Sequence, residues 1–264
     1  MSASTVLNLE LTNIGDSIGI NYTHRREYPQ VHQQLSGCVK DALQIRESLS
    51  EHWVSSIQGS KGALEMKVLR DDSKKTDQIP SKKNIIKAMR WLVDDACPED
   101  LLVFHYSGHG SQIPDKNSDE PDGYDEVIYP IDGGYILDDD MHELMVKPLP
   151  PGCRLTVHFV QAVMTAYLTS VLLYKALFDC CHSGSALDLP YVWHNYGGLF
   201  RGGSVMSKWI RCKSTEAGVI SLSSSKNIHM SMDTPGGGAM SDAFIMSLKH
   251  DAYLTYDKFF DSIK

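Results

Sequence analysis

Two short segments of this sequence carry residue types that can do chemistry. One is His105-Tyr106-Ser107-Gly108-His109-Gly110 and the other is Asp179-Cys180-Cys181-His182-Ser183-Gly184. Each follows a bounded apolar run, Leu101-Leu102-Val103-Phe104 or Ala176-Leu177-Phe178, of the kind that forms buried parallel strands. A cysteine and a histidine delivered by neighbouring strand ends are the parts of a thiol nucleophile and its proton shuttle. An imidazolium close by lowers the thiol pKa and so raises the thiolate fraction. Flanking glycines let the backbone approach a substrate carbonyl, and a free N–H there stabilises an oxyanion. The competing reading is plain packing, since free cysteine is among the most buried residue types.

The elements around these segments alternate between short apolar runs and amphipathic stretches, the pattern of an α/β domain. Gly37 to Leu49 carries Val39, Ala42, Leu43, Ile45 and Leu49 at helical spacing. Ser81 is placed to cap a helix whose Ile85, Met89, Leu92, Val93 and Ala96 share one face, with Pro98 just beyond. Met66-Lys67-Val68-Leu69, Val127-Ile128-Tyr129 and Val219-Ile220-Ser221-Leu222 read as further strands. The C-terminal part reads as helical over Ala239 to Leu248 and Tyr256 to Ile263. Two long polar stretches, Gly110 to Asp125 and Tyr191 to Thr215, read as loops. In an open α/β sheet the loops leaving the carboxyl ends of strands carry the ligand site, and the first of these leaves the Leu101 strand.

Composition narrows the function classes. The 264 residues are 42% hydrophobic and 22% charged, ordinary globular usage that excludes a disordered chain. A net charge of −8 with no basic run longer than Arg25-Arg26 argues against a nucleic-acid partner. Six cysteines without a CxxC pair do not make a disulfide scaffold. The first eleven residues lack the features of a signal peptide, so a reducing, cytoplasmic setting is expected.

Taken together, the two segments resemble the signatures of the type I metacaspases, caspase-like cysteine peptidases that prefer Arg or Lys. The likeness runs from Gly19-Ile20-Asn21-Tyr22 to Ile263 and includes Asp125-Glu126-Val127-Ile128 and Asp138-Asp139-Asp140-Met141-His142. It implies a His109–Cys181 dyad, with Cys181 as nucleophile and His109 protonating the leaving amine. The backbone N–H groups of Gly110 and Cys181 would face the oxyanion, leaving His105, His182 and Cys180 as structural neighbours. It also implies an acidic S1 pocket of Asp41 and Asp179 with Cys38 and Ser107 on its walls, a natural complement to a guanidinium or ammonium group. Asp125, Asp138, Asp139 and Asp188 match the family's calcium ligands, and hard oxygen donors suit that ion. Without the likeness, the same carboxylates read as solvated loop residues and a helix N-terminus favoured by the helix dipole.

The spacing departs from the family. His109 and Cys181 are 72 residues apart, where caspase-like sequences place the pair about 50 apart. In the family, the strand begun at Cys153-Arg154-Leu155-Thr156 continues directly into Ala176-Leu177-Phe178-Asp179. Here the 19 residues Val157 to Lys175 intervene, and without them the separation is 53. The insert reads in three ways. It is near the minimum of about 17 residues for a membrane span, although His158, Gln161 and several Thr and Ser oppose that. It can be a helical or hairpin excursion from the sheet. The preferred reading is a translated intron, since it begins with Val (GTN codons) and ends with Lys (AAA or AAG). Whatever its origin, a one-residue slip in a strand turns each side chain to the opposite face, which puts delivery of Cys181 at risk.

The expectation is a single caspase-like α/β domain over residues 1–264, a mostly parallel sheet flanked by helices on both faces. The family's Pro/Gln-rich N-terminal extension is absent, the first strand is broken by Thr12, Asn13, Gly15 and Asp16, and the C-terminal end is expected to be truncated. The leading function is a calcium-dependent, monomeric cysteine endopeptidase that acts on proteins or peptides after Arg or Lys. It would process itself in the basic loop holding Arg201, Lys208, Arg211 and Lys213. The alternative is an inactive caspase-like binding or scaffold protein disabled by the insert, residues 157–175, and by the altered ends; a membrane-anchored protein ranks third.

Overall fold

A computed structural model describes residues 13–23, 34–53, 64–117, 120, 123–163, 187, 189, 191–196, 199–204, 213–223, 241, 242, 245 and 246. Its centre is a seven-stranded sheet. Five strands are parallel: β1 (Asn13–Gly19), β2 (Glu65–Arg70), β3 (Leu101–Pro114), β6 (Arg154–Val163) and β9 (Gly218–Ser223), in the spatial order β2-β1-β3-β6-β9. β3 runs past the end of β1, and there it pairs antiparallel with β4 (Tyr124–Ile128), which in turn pairs with β5 (Ile136–Leu137). A separate antiparallel ribbon joins β7 (Tyr191–Tyr196) to β8 (Leu199–Ser204).

Helices cover both faces, as the sequence pattern requires of a buried parallel sheet. The helix α1 (Cys38–Ser48) lies on the face that carries Ser17 and Ser107, whose hydroxyls bond to its Ala42 carbonyl and Asp41 carboxylate. On the other face α2 (Lys82–Val93) packs beside α3 (Asp138–Met145). Ser81 caps α2 by accepting the Asn84 N–H at 3.3 Å, and the stripe Ile85, Met89, Leu92 and Val93 is buried. The faces expected for α1 and α2 and the Ser81 cap are those observed, except that Ala96 lies past the end of α2. The helices expected over Ala239 to Leu248 and Tyr256 to Ile263 lie largely outside the described residues.

The start of α1 sits very close to β1. A side chain at Gly19 would place a Cβ 2.3 Å from the Cys38 carbonyl oxygen, so glycine is needed for this approach. Asn21 then fixes the helix end: its Oδ1 accepts the Val39 N–H at 3.2 Å, while its own N–H donates to Asp71 Oδ1 at 3.1 Å.

The structure corrects four readings of the sequence. First, Gly110 to Pro114 are strand rather than loop, because β4 and β6 supply ladder partners to a segment with no apolar pattern. Second, Asn13, Gly15 and Asp16 do not break the first strand. They lie within β1, held between β2 and β3. Third, the stretch from Tyr191 contains the β7–β8 hairpin. Fourth, the insert does not leave the sheet at Val157. Its first seven residues, Val157–Val163, extend β6 in continuous register with β3, from Leu101 opposite Arg154 to Gly110 opposite Val163.

Keeping Asp16 within β1 has a physical cost. The side chain is 1% exposed, and neither carboxyl oxygen has a hydrogen-bond partner among the described residues. Burial pushes its pKa well above the carboxylate range, with attraction to Lys67 as the smaller, opposing influence. Cys153, just before β6, is a second buried ionisable group; desolvation pushes its thiol up to about 11.

Candidate active site

His109 stands in β3 at the carboxyl end of the parallel strands and is 2% exposed. Its position is fixed through the backbone by two tyrosines. The His109 N–H donates to Tyr22 Oη at 3.1 Å, and the Tyr106 hydroxyl donates to the His109 carbonyl at 2.8 Å. Tyr22 Oη donates in turn to the Tyr129 carbonyl at 2.7 Å, which ties the start of the site to the end of β4. The Tyr22 ring also lies against the imidazole, with ring centroids 4.6 Å apart. Burial and the neighbouring Tyr22 raise the Tyr106 pKa well above the ordinary phenol value, so it stays a hydrogen-bond donor. Gly108 is required here: a Cβ would meet Tyr106 Oη at 2.6 Å.

Tyr22 adopts φ +59, a left-handed conformation that costs a bulky residue of order 1–2 kcal/mol. One hydroxyl serving both His109 and Tyr129 offsets that strain. Tyr22→Phe removes the acceptor for one buried N–H and the donor for one carbonyl. It is expected to lower the unfolding free energy by about 1–2 kcal/mol, which urea denaturation would measure.

Two residues before His109, Ser107 Oγ donates to Asp41 Oδ2 at 2.9 Å. Both side chains are buried, as is Cys38 at the first position of α1. Asp41 and Ser107 therefore meet where α1 faces the end of β3, and Cys38 lies three residues earlier on the same helix. His105 is structural. Ser17 Oγ gives its single proton to the Ala42 carbonyl, so the 2.9 Å contact with His105 requires Nδ1 to be the donor. Gly110 follows His109 in β3, where the strand meets both β4 and β6. Cys181, Asp179 and Asp188 lie outside the described residues.

The acidic group forms at the far end of β4. Asp125 is buried in β4, and Asp138 and Asp139 open α3. Asp138 accepts the Glu126 N–H at 2.8 Å and the Asp139 N–H at 2.9 Å. Asp139 Oδ2 accepts from the Asn117 side chain at 3.0 Å. Lys213 brings its ammonium to 3.4 Å from Glu120 and 3.6 Å from Asp139. These oxygen donors suit calcium chemically, but among the described residues no three His, Cys, Asp or Glu converge closely enough to hold a metal. On α3, His142 Nδ1 donates to the Leu187 carbonyl at 2.9 Å, anchoring the chain beside Asp188.

The contributions of Tyr22, Tyr106 and Lys213 were not read from the sequence. Tyr22 closes the quoted Gly19-Ile20-Asn21-Tyr22 and Tyr106 lies in the His105 to Gly110 segment, but only the fold shows that their hydroxyls meet. Lys213, expected as a self-cleavage site, is held in ion pairs and is 13% exposed. Arg201 lies in the paired strand β8, and Lys208 and Arg211 lie outside the described residues.

A family model described as "Metacaspase, peptidase C14 domain" matches residues 17–167, more than half of the chain. The chain belongs to the type I metacaspases. It is 36% identical to Metacaspase-1A of Aspergillus niger, over 94% of this chain and 65% of that protein. It is also 36% identical to Metacaspase-1 of Cryptococcus neoformans, over 94% of this chain and 58% of that protein. The metacaspase chain thus spans about three fifths of the length of these curated relatives. The crystal structure of protein GSU0716 from Geobacter sulfurreducens shares the fold, with a TM-score of 0.58 and 18% identity over 96% of this chain and 88% of that one. The stretch matched by the metacaspase model contains Asp41, Ser107, His109, Asp125, Asp138 and Asp139, and it stops short of Cys181. Among the described residues no helix is long and apolar enough to cross a membrane.

Proposed function

We propose that this metacaspase domain is built as a cysteine endopeptidase that cleaves protein or peptide substrates after Arg or Lys. The observation that supports this reading is the buried Ser107–Asp41 hydrogen bond beside His109. It holds the Asp41 carboxylate against β3 two residues before the histidine. A cationic side chain would pair with Asp41 and Asp179. The Cys181 thiolate would attack the scissile carbonyl carbon, and the developing oxyanion would take hydrogen bonds from the Gly110 and Cys181 N–H groups. As the C–N bond breaks, the His109 imidazolium gives its proton to the leaving amine, leaving a thioester. Water, deprotonated by the then neutral His109, would attack that thioester and release the acid, and the thiolate and imidazolium would be restored.

The test is hydrolysis of peptides that differ only in Arg, Lys or Asp at the cleavage position. It should be run with the chain lacking residues 157–175, beside the same protein carrying Cys181→Ala or His109→Ala. Cleavage after Arg and Lys, lost in both variants, is expected. Faster cleavage after Asp, or activity that survives Cys181→Ala, would overturn the reading. Gel filtration should show a monomer, and replacing Arg201, Lys208, Arg211 and Lys213 together should stop self-cleavage.

Calcium is proposed as an activator held by Asp125, Asp138, Asp139 and Asp188, supplying positive charge to these carboxylates. Lys213 already supplies part of that charge. Lys213→Gln is therefore expected to lower the Tm in the absence of calcium and to tighten calcium binding about fivefold to tenfold, on the scale of a partly buried ion pair. Calorimetric titration with calcium alone checks this without reference to activity.

A second reading, an inactive caspase-like scaffold, is favoured for the full chain by the register of β6, considered next.

A further inference from the structure

We propose that residues 157–163 and residues 176–182 are alternative occupants of one strand position between β3 and β9, and that only the second occupant brings a thiol to His109. The inference rests on the dyad reading above and concerns how that site is switched off in this chain.

The register carries it. With β6 formed by Arg154–Val163, Ser107 stands opposite Val160 and His109 opposite Ala162. Neither Val160 nor Ala162 has a carboxylate or a nucleophile, so the histidine and the Ser107–Asp41 pair both face inert residue types. The insert is 19 residues long, and a chain without it runs from Thr156 straight into Ala176. Along the same strand path Ala176 then takes the place of Val157, and Phe178 that of Phe159. Asp179 takes the place of Val160 and Cys181 that of Ala162. One substitution of segments thus sets Asp179 opposite Ser107, which already binds Asp41, and Cys181 opposite His109. Two functional pairings fall into register together, without any adjustment elsewhere in the sheet.

The occupancy is exclusive. β3 has β1 along one edge and β6 along the other, and β6 also pairs with β9. The first occupant is a competent competitor. Val157 is fully buried, and Val157-His158-Phe159-Val160 has the β-branched and aromatic content that suits a strand. It also follows Thr156 without a break, whereas placing residues 176–182 in the full chain requires 19 residues to loop out, and closing such a loop carries an entropy cost. In the full chain the strand position opposite His109 is therefore taken by Ala162.

Thiol titration tests this independently of peptide cleavage. In the full chain carrying Ala162→Cys and Cys181→Ala, the introduced thiol should react with iodoacetamide at pH 6 at least tenfold faster than the same protein carrying His109→Ala as well. Mass spectrometry of the modified peptide identifies the site. In the chain lacking residues 157–175, Cys181 itself should show the same His109-dependent reactivity, and in the unaltered full chain it should not. A His109-dependent, low-pH reactivity of Cys181 in the full chain would overturn the proposal. So would an introduced thiol indifferent to His109, even if the shortened chain cleaves Arg peptides, and in that case the peptidase reading would stand alone. A coupled thiol in a shortened chain that cleaves nothing would uphold the shared strand position and remove the peptidase reading. If the shortened chain does not fold, the arm carrying Ala162→Cys decides the matter.

Discussion

Asp41→Asn, made in the chain lacking residues 157–175, should lower kcat/KM for an Arg peptide by about a hundredfold or more. The size follows from removing one partner of a buried, hydrogen-bonded charge pair, which typically costs about 2–5 kcal/mol. Asparagine keeps an oxygen that can accept the Ser107 hydroxyl, now bonded at 2.9 Å, so the fold around α1 should be retained. The informative comparison is with a citrulline peptide, which has the shape of arginine without the charge. The shortened chain with Asp41 intact should strongly prefer Arg to citrulline, and Asp41→Asn should reduce that preference with little change in its citrulline rate. Equal losses on both peptides would mean that Asp41 supports the fold rather than reading the substrate.

Asp16→Leu should raise the unfolding free energy by about 2 kcal/mol at neutral pH, the scale of an unsatisfied buried polar group. The sign of the pH dependence follows from burial. The folded protein holds the Asp16 proton more tightly than the unfolded chain does. Below the ordinary carboxylate pKa both states are protonated and the group costs least. As pH rises past that value the unfolded chain releases the proton while the folded one retains it, and stability falls until the raised folded pKa is passed. Urea unfolding at a series of pH values should show this decline in the native protein and its loss in Asp16→Leu. Lys67, which stands opposite Asp16 in β2 and lies 3.4 Å over the Trp91 ring, weakens the effect without cancelling it.

The fold was legible where side-chain pattern and burial agree. The stripe of α2 and its Ser81 cap follow directly from spacing, and the Leu101 strand follows from its apolar run. The pattern failed where partners rather than propensity decide. Gly110 to Pro114 has no alternating apolar pattern, yet it is strand because β4 supplies its ladder partners. The β7–β8 hairpin does have a local signal: Gly197-Gly198 separates the paired residues Tyr196 and Leu199, a favoured two-residue turn sequence. For the site, the identity of His109 and its grouping with Asp41 and Ser107 came from motif likeness. Their hydrogen bond, and the tyrosine relay from Tyr22 to Tyr129, depend on separations of 66 and 107 residues that no local pattern encodes.

Cys153 offers a use unrelated to catalysis. Its thiol is buried immediately before β6, its carbonyl accepts the Gly218 N–H at the start of β9, and its pKa is pushed up to about 11. Such a thiol is almost inert while the strands stay paired and regains ordinary reactivity once they separate. Its slow alkylation in native buffer is therefore a built-in clock for local opening at the root of β6, and the ratio of that rate to the rate in urea gives the opening free energy. Exposed Cys97 on the same chain supplies the reference for full accessibility.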